Sequence, residues 1–167
     1  HGTAIISSAA LLNALDIAKK KIDKVKVVVS GAGASALSCV KLYRSLGVKL
    51  QNIFMYDSKG LIWKGREGLD KMKAPYAVHK SDINFSDAFK KADVFLGLSR
   101  AGLVSKDMIA DMAKNPIVFA LANPEPEISY KQATAARKEI IRAPRRTDQP
   151  NQVINVLGFP FIFRAAF

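Results

Sequence analysis

Residues 27–36 read VVVSGAGASA and place three β-branched residues just before two glycines that are spaced by one residue. A short apolar run of this kind is typical of a buried strand. Glycine has no Cβ, so it permits a positive φ and a close approach of the backbone to a bulky group. We therefore expect the strand to leave the sheet through a tight turn that has something bound against it.

The stretch from Gly31 to Ala36 has the pattern G-x-G-x-x-A between a predicted strand and a predicted helix. In a dinucleotide-binding turn, the first glycine allows the turn, the second leaves room for the pyrophosphate, and the last small residue lets helix and strand pack closely. Free amides at the helix start would bind the anion, and the Ser35 hydroxyl could add a donor. The predicted cofactor-binding residues of this turn are Gly31, Ala32, Gly33, Ala34, Ser35 and Ala36.

Asp57 ends the next predicted strand, at roughly the 20-residue distance expected of the acidic residue in a dinucleotide-binding fold. Its carboxylate could accept hydrogen bonds from both ribose hydroxyls of the adenosine half, and it would repel a 2′-phosphate, which favours NAD. Lys59 follows closely and could instead pair with that phosphate, so NAD and NADP both stay open. The alternative interpretation is a tight turn followed by a solvated aspartate.

Predicted helices and strands alternate along the rest of the chain. The predicted helices cover residues 4–19, 34–46, 85–92, 105–113 and 130–137, and Ser105 and Ser129 are the predicted N-caps of the last two. The predicted strands cover 25–29, 52–56, 93–98, 117–121 and 139–142. Residues 60–78 read as a loop with short extended pieces, and 151–163 as a helix followed by a turn. Strands that alternate with helices imply right-handed crossovers and a mostly parallel sheet. We predict one α/β domain over residues 1–167, a Rossmann-like doubly wound sheet with helices on both faces.

Composition excludes several classes of protein. The chain has 167 residues, of which 49% are hydrophobic, which suits one packed domain. Its apolar stretches are shorter than the roughly 20 residues that span a bilayer, and no basic leader precedes the first one, so we expect neither a membrane span nor a signal peptide. Cys39 is the only cysteine, so a disulfide framework is excluded and a cytoplasmic location is favoured. It reads as core packing.

The net charge of +12 raises the question of nucleic acid or membrane binding. The lysines and arginines are scattered, with local clusters at 19–26 and 142–146, and no aromatic residues interleave with them as in a base-stacking surface. We interpret them as solvated side chains and expect neither nucleic acid nor membrane as a partner. His79, in a polar loop, reads as solvated as well.

Several stretches together resemble the C-terminal, NAD(P)-binding domain of malic enzymes, particularly the bacterial type. They are HGTAIISSAALLNAL at 1–15, VVVSGAGASA at 27–36, YDSKGLI at 56–62, ADVFLGLS at 92–99, NPIVFALANPEPEI at 115–128 and PNQVINVLGFPFIFRAAF at 150–167. They cover nearly the whole chain in the family's order. The resemblance implies oxidative decarboxylation of malate to pyruvate and CO₂ with NAD or NADP and with Mg²⁺ or Mn²⁺, in a cytoplasmic homo-oligomer.

The resemblance also implies roles for particular residues. Asn123 and Asn155 would contact malate, Asn155 alternatively the nicotinamide. Thr3 would lie near the nicotinamide, and Ser99 belongs to a loop placed near the cofactor. The sequence departs from the family at Ile154, where an asparagine is usual, at residues 144–149, and at Arg100, which leaves the substrate geometry open.

In malic enzymes, the catalytic tyrosine and lysine and the acidic metal ligands belong to segments that precede the one matched here. We therefore expect residues 1–167, which begin with His1 rather than Met, to be a fragment that supplies no catalytic residue and no metal ligand. Two alternatives stay open: a domain of another two-domain amino-acid or hydroxy-acid dehydrogenase, and a basic binding module without catalysis.

Overall fold

The structure is a computed structural model that describes residues 2–79 and 82–142. The α-helices are α1 (Gly2–Ala18), α2 (Ala34–Leu46), α3 (Phe85–Ala88), α4 (Lys106–Ala110) and α5 (Tyr130–Ala136). The strands are β1 (Val27–Ser30), β2 (Ile53–Asp57), β3 (Gly60–Leu61), β4 (Val94–Gly97), β5 (Ile117–Ala120) and β6 (Ile141–Arg142). Short 3₁₀ turns cover Leu50–Asn52 and Ala74–Tyr76.

The strands form one six-stranded sheet in the order β3-β2-β1-β4-β5-β6. All neighbouring pairs are parallel except β2 and β3, which are antiparallel. The strand order reverses between β1 and β4, because β2 lies on one side of β1 and the later strands on the other. A ligand crevice forms at such a switch point, outside the carboxyl ends of the strands.

Helices cover both faces of the sheet, as predicted for a doubly wound fold. Successive residues of a strand point to opposite faces. Val27 and Val29 of β1 accordingly pack in a cluster with residues of α1 and α2. Val28, between them, packs in a second cluster with residues of α3, α4 and α5. The all-apolar character of β1 thus follows from burial on both faces.

Within the described residues the predicted elements are confirmed, with some shorter than expected, and the helix and turn predicted over 151–163 lie outside those residues. α2 has the predicted bounds, and Gly47 ends it with φ +123° while its N–H donates to Arg44 O. Ser105 and Ser129 cap α4 and α5 through their hydroxyl oxygens, as predicted. α3 is shorter than predicted: Lys91 lies in the left-handed region at φ +57°, which a helix cannot accommodate.

Two predictions about single side chains have different outcomes. Cys39 is fully buried in the core, as expected, and its sulfur accepts a hydrogen bond from Ser7. Lys20 belongs to the lysine run read as solvated, but its ammonium lies 2.6 Å from Asp93, with only 14% of the side chain exposed. The interpretation as a solvated run is therefore wrong for Lys20. In the parts of the chain that the structure describes, no helix combines the length and the apolarity needed to cross a membrane.

Candidate functional site

A cavity of about 760 Å³ opens at the carboxyl ends of β1, β2 and β4, the position expected from the strand order. It is lined by Ser30, Gly31, Ala32, Gly33, Tyr56, Asp57, Ser58, Gly60, Lys73, Phe85, Ser99, Arg100 and Leu103. Of the predicted cofactor-binding residues, this set includes Gly31, Ala32, Gly33, Asp57 and Ser99.

Gly31 makes the turn after β1 possible. Its φ is +108°, and a Cβ there would lie 2.7 Å from the carbonyl oxygen of Leu98. Its own N–H donates to Tyr56 O over 2.8 Å. The turn is thus pressed against both neighbouring strands, and only glycine fits at its first position.

Gly33 is glycine for a different reason. Its φ is −77°, which any residue can adopt, and a Cβ there would meet no atom of the described residues within 4 Å. Nothing in the part of the chain that the structure describes therefore requires glycine at this position. The space that a side chain would occupy belongs to the cavity, which fits a ligand that approaches the backbone here.

The turn leads into α2, whose N terminus has no side-chain cap. The first N–H groups of a helix have no partner within the helix, and with the helix dipole they favour an anion. Ala36 is buried in the core and keeps the helix close to β1, whereas Ser35 is exposed. The local geometry suits a diphosphate.

Asp57, at the end of β2, is held by two cations. Arg66 pairs with it through two parallel hydrogen bonds, of 2.9 Å and 2.6 Å, and the Lys73 ammonium lies 2.9 Å from one carboxylate oxygen. The backbone N–H of Lys59 donates to the other oxygen. Only 7% of the Asp57 side chain is exposed. The three side chains together have a net charge of +1.

Burial raises the pKa of Asp57, but the hydrogen bonds from Arg66, Lys73 and the Lys59 amide outweigh it, and the pKa lies well below its ordinary value. The argument that Asp57 would repel a 2′-phosphate assumed an unpaired carboxylate. That premise is wrong, because the carboxylate is neutralised and one of its two cations, Lys73, lines the cavity.

On the far side of β1, the cavity wall is formed by the segment that follows β4. The hydroxyl groups of Ser30 and Ser99 are hydrogen-bonded to each other across the ends of β1 and β4. Arg100 also lines the cavity and is exposed. Hydroxyl groups and a guanidinium are therefore available on this side to a polar ligand.

Glu127 is completely buried beneath this segment. Its two carboxylate oxygens accept hydrogen bonds of 3.1 Å from the N–H groups of Ser99 and Ala122. Burial raises the pKa of Glu127, and these hydrogen bonds offset part of the rise. The carboxyl group occupies the space next to Gly97, the last residue of β4.

The remaining predicted site residues lie outside the cavity lining or outside the described residues. Asn123 is exposed in the segment that follows β5, Lys59 is exposed after β2, and Thr3 is buried in the first turn of α1. None of the three lines the cavity, and neither do the predicted cofactor-binding residues Ala34, Ser35 and Ala36. Asn155, Ile154 and the departures at 144–149 lie outside the described residues.

The sequence interpretation missed Arg66, Lys73 and Glu127. The first two lie 9 and 16 residues beyond Asp57 in a stretch read as an irregular loop, where basic residues are common and no periodicity signals a contact. Glu127 follows Pro126 in the NPEPEI stretch at 123–128, whose proline and polar residues are typical of a turn. Its burial could not be read from the sequence.

Mg²⁺ and Mn²⁺ require oxygen ligands that converge on one point. Over residues 2–79 and 82–142, no three His, Cys, Asp or Glu side chains are close enough together to bind a metal ion. The described residues therefore do not fit a metal centre.

Comparison with known proteins places the chain among relatives of one kind. Residues 1–143 match the family model described as malic enzyme, NAD binding domain. The NADP-dependent malic enzyme of Halomonas elongata is 49% identical over 99% of the chain, and the NAD-dependent malic enzyme of Rhizobium meliloti is 50% identical over 99%. The chain spans 39% of the length of the first and 22% of the second.

A solved structure agrees with these matches. The crystal structure of Entamoeba histolytica malic enzyme superimposes with a TM-score of 0.93 at 39% identity, and covers 99% of this chain and 36% of its own. The matched region includes the glycine turn, Asp57 and Glu127, because nearly the whole chain is aligned.

Proposed function

Because the chain belongs to the malic enzyme family through its NAD-binding domain, we propose that it binds the dinucleotide NAD(P) in the cavity described above. The full-length protein would catalyse the oxidative decarboxylation of malate to pyruvate and CO₂. The observation that supports this best is Gly33, which none of the residues that the structure describes requires to be glycine and which faces the cavity next to an uncapped helix.

The dinucleotide would lie across the carboxyl ends of the strands. The pyrophosphate would accept hydrogen bonds from the amides at the start of α2. The adenosine half would lie towards β2, where Asp57 and Ser58 line the cavity. The nicotinamide half would then lie towards β4 and Ser99. The sheet edge thus orients the cofactor and places its reactive ring beside the segments that follow β4 and β5.

In the proposed reaction, malate loses a hydride from C2 to the nicotinamide, and the hydroxyl proton goes to a base. The β-carboxylate then leaves as CO₂, and the remaining enolate is protonated to pyruvate. We assign the amides of Asn123 and Asn155 to the malate site, where each can donate a hydrogen bond to a carboxylate. Thr3 and Ser99 are assigned to the nicotinamide side.

The base, the acid and the metal ligands are assigned to residues outside the described part of the chain. The described residues would bind and orient the dinucleotide.

We further propose that NADP is preferred to NAD. Arg66 compensates the negative charge of the Asp57 carboxylate through two hydrogen bonds, while the Lys73 ammonium makes one described hydrogen bond and has 25% of its side chain exposed on the cavity wall. An ammonium has three donors. It could therefore bind a 2′-phosphate without releasing Asp57, and the local net charge of +1 favours an anion there.

Calorimetric titration of the 167-residue chain with NADP and with NAD tests both proposals. We expect saturable binding of both, with NADP tighter by about tenfold, the effect of one charge-assisted hydrogen bond. Absence of binding would contradict the proposed function, whereas equal or tighter binding of NAD would contradict only the preference. A parallel assay of malate-dependent cofactor reduction should detect no turnover by these residues alone.

We also infer a cytoplasmic location and a homo-oligomeric full-length enzyme. The free thiol of Cys39 is compatible with a reducing compartment. The exposed apolar side chains Ile5, Leu12 and Ile17 on α1 would suit an interface. Light scattering on the full-length protein would measure its oligomeric state directly.

A further inference from the structure

We propose that Glu127 is a positioning residue that holds the segments after β4 and β5 at a fixed separation beneath the nicotinamide half of the cofactor. The inference rests on the proposed function, because it concerns how the same cavity orients the dinucleotide. Glu127 itself is completely buried and does not line the cavity.

The carboxylate of Glu127 joins two segments of the chain. One oxygen accepts from the N–H of Ser99, just after β4, and the other from the N–H of Ala122, just after β5. A single side chain therefore joins the two segments that would hold the nicotinamide and the malate. A carboxylate can do so because both of its oxygens are acceptors, whereas an amide has one acceptor and one donor group.

The backbone around Glu127 joins the same two segments. The carbonyl oxygens of Pro126 and Glu127 accept hydrogen bonds from Gly102 and Val104, at 3.2 Å and 3.0 Å. The segment after β5 is thus joined to the segment after β4 along its length. Because Ser99 also bonds to the Ser30 hydroxyl, the connection continues to the end of β1 and the glycine turn.

The carboxyl group of Glu127 occupies space that a side chain at Gly97 would fill. At Gly97, the three atoms nearest to an added Cβ all belong to Glu127, at 2.3 to 2.6 Å. Gly97 has no positive φ that would otherwise require glycine. The absence of a side chain at the end of β4 is therefore explained by the carboxyl group of Glu127.

The partners of the Glu127 carboxyl group are polar but uncharged. Over residues 2–79 and 82–142, no lysine or arginine forms an ion pair with Glu127. Its partners are backbone amides, which are fixed in direction. Burying a carboxyl group without a counter-charge is costly even when amides donate to it, so its presence beneath the site is better explained by the geometry that it imposes.

The test compares two ligands that differ only in the nicotinamide. The wild-type chain and Glu127→Gln are titrated with whichever of NADP and NAD binds more tightly, and with the matching ADP-ribose, phosphorylated at the 2′ position if NADP is used. In wild type, the nicotinamide should add affinity. In Glu127→Gln, the dinucleotide should bind about tenfold more weakly, through the loss of one acceptor and the repulsion of an added donor, while the ADP-ribose affinity stays within about twofold.

Three outcomes would overturn the proposal. One is equal affinity of wild type for the two ligands, since the segment after β4 would then not contact the nicotinamide. Another is a parallel loss for both ligands in Glu127→Gln, which indicates a general structural role. The third is no change for either ligand. If neither ligand binds to wild type, the proposed function itself fails.

A second variant and a second measurement apply if Glu127→Gln does not fold. Gly97→Ala keeps the carboxylate but displaces it, and should weaken dinucleotide binding selectively in the same way. In the wild-type chain, the amide protons of Ser99 and Ala122 should exchange slowly with solvent in NMR spectra. Fast exchange of both amides would mean that the carboxylate does not hold them in solution, and would overturn the proposal.

Discussion

The carboxyl group of Glu127 fills the space beside Gly97: a Cβ on Gly97 would lie 2.3 Å from Glu127 Cδ and 2.5 and 2.6 Å from the two oxygens. The two residues are 30 positions apart in the sequence but form one structural unit at the ends of β4 and β5. A strand that ends in glycine usually does so for a turn, and here it does so for a buried side chain.

The first prediction is that Gly97 and Glu127 are energetically coupled. Gly97→Ala alone should lower the free energy of unfolding by about 3 kcal/mol, because a methyl group overpacks the buried site. In the background of Glu127→Ala the added methyl has room, so its effect should be smaller by at least about 1 kcal/mol. Urea unfolding of the two single variants and the double variant measures the coupling. Additive effects would mean that the clash is relieved elsewhere.

The second prediction concerns Gly33. Gly33→Ala should weaken dinucleotide binding by about tenfold or more, because the methyl group occupies the space assigned to the pyrophosphate. It should leave stability unchanged or raise it by up to about 1 kcal/mol, since φ is −77° and no atom is in the way. Calorimetry and thermal unfolding measure the two quantities separately.

Gly68→Ala is the matched control for Gly33→Ala. A Cβ at Gly68 also meets no atom within 4 Å, and the residue does not line the cavity. Its φ of +67° should lower stability by about 1 kcal/mol, with no effect on binding. Unchanged binding in Gly33→Ala, or equal weakening in both variants, would contradict the assigned position of the pyrophosphate.

The third prediction concerns the preference for NADP. Lys73→Ala should weaken NADP binding by about tenfold and change NAD binding by less than about twofold, because only NADP has the phosphate that Lys73 would meet. Lys71→Ala serves as the control. Lys71 has the same charge and lies two residues before Lys73, but it is exposed and does not line the cavity. An unchanged ratio of the two dissociation constants in Lys73→Ala would refute the assignment.

The fourth prediction concerns the pH dependence of stability. The pKa of Asp57 is depressed in the folded chain, so the stabilisation is present above the unfolded value of about 3.9 and is lost as the pH falls towards the folded pKa. Asp57→Asn should lower the free energy of unfolding by about 1–3 kcal/mol at pH 7, because two partly buried cations lose their counter-charge. The difference between wild type and variant should shrink between about pH 4.5 and pH 2.

Urea unfolding of both proteins at several pH values checks this prediction. Asp107→Asn is a suitable control, because this carboxylate is exposed in the first turn of α4 and forms no described ion pair. A difference between wild type and Asp57→Asn that stays constant down to pH 2 would mean that the carboxylate is not the group that titrates.

Much of the fold could be predicted from local patterns. The run of β-branched residues before Gly31 and the small residue at Ala36 identified β1, its turn and α2, because each depends on backbone conformation within a few residues. The serine caps of α4 and α5 were predicted for the same reason. The end of α3 could not be predicted, because it depends on the left-handed backbone conformation of Lys91.

The sequence identified some of the residues that line the cavity. Gly31, Ala32, Gly33, Asp57 and Ser99 line it, whereas Asn123, Lys59 and Thr3 do not. The role of Asp57 was misread, because a carboxylate at a strand end has the same sequence whether it is free or paired. Its partners come from an irregular segment whose path follows from packing against the sheet, not from propensity.

The sequence by itself determined the order of strands and helices, the turn that opens the cavity, and the family resemblance, because these depend on short-range patterns of side-chain size and polarity. The tertiary structure alone decided that Arg66 and Lys73 neutralise Asp57 and that Glu127 lies beneath Ser99 and against Gly97. Those contacts depend on where distant segments meet in space, and the free energy of burying a charge depends on partners that no local pattern specifies.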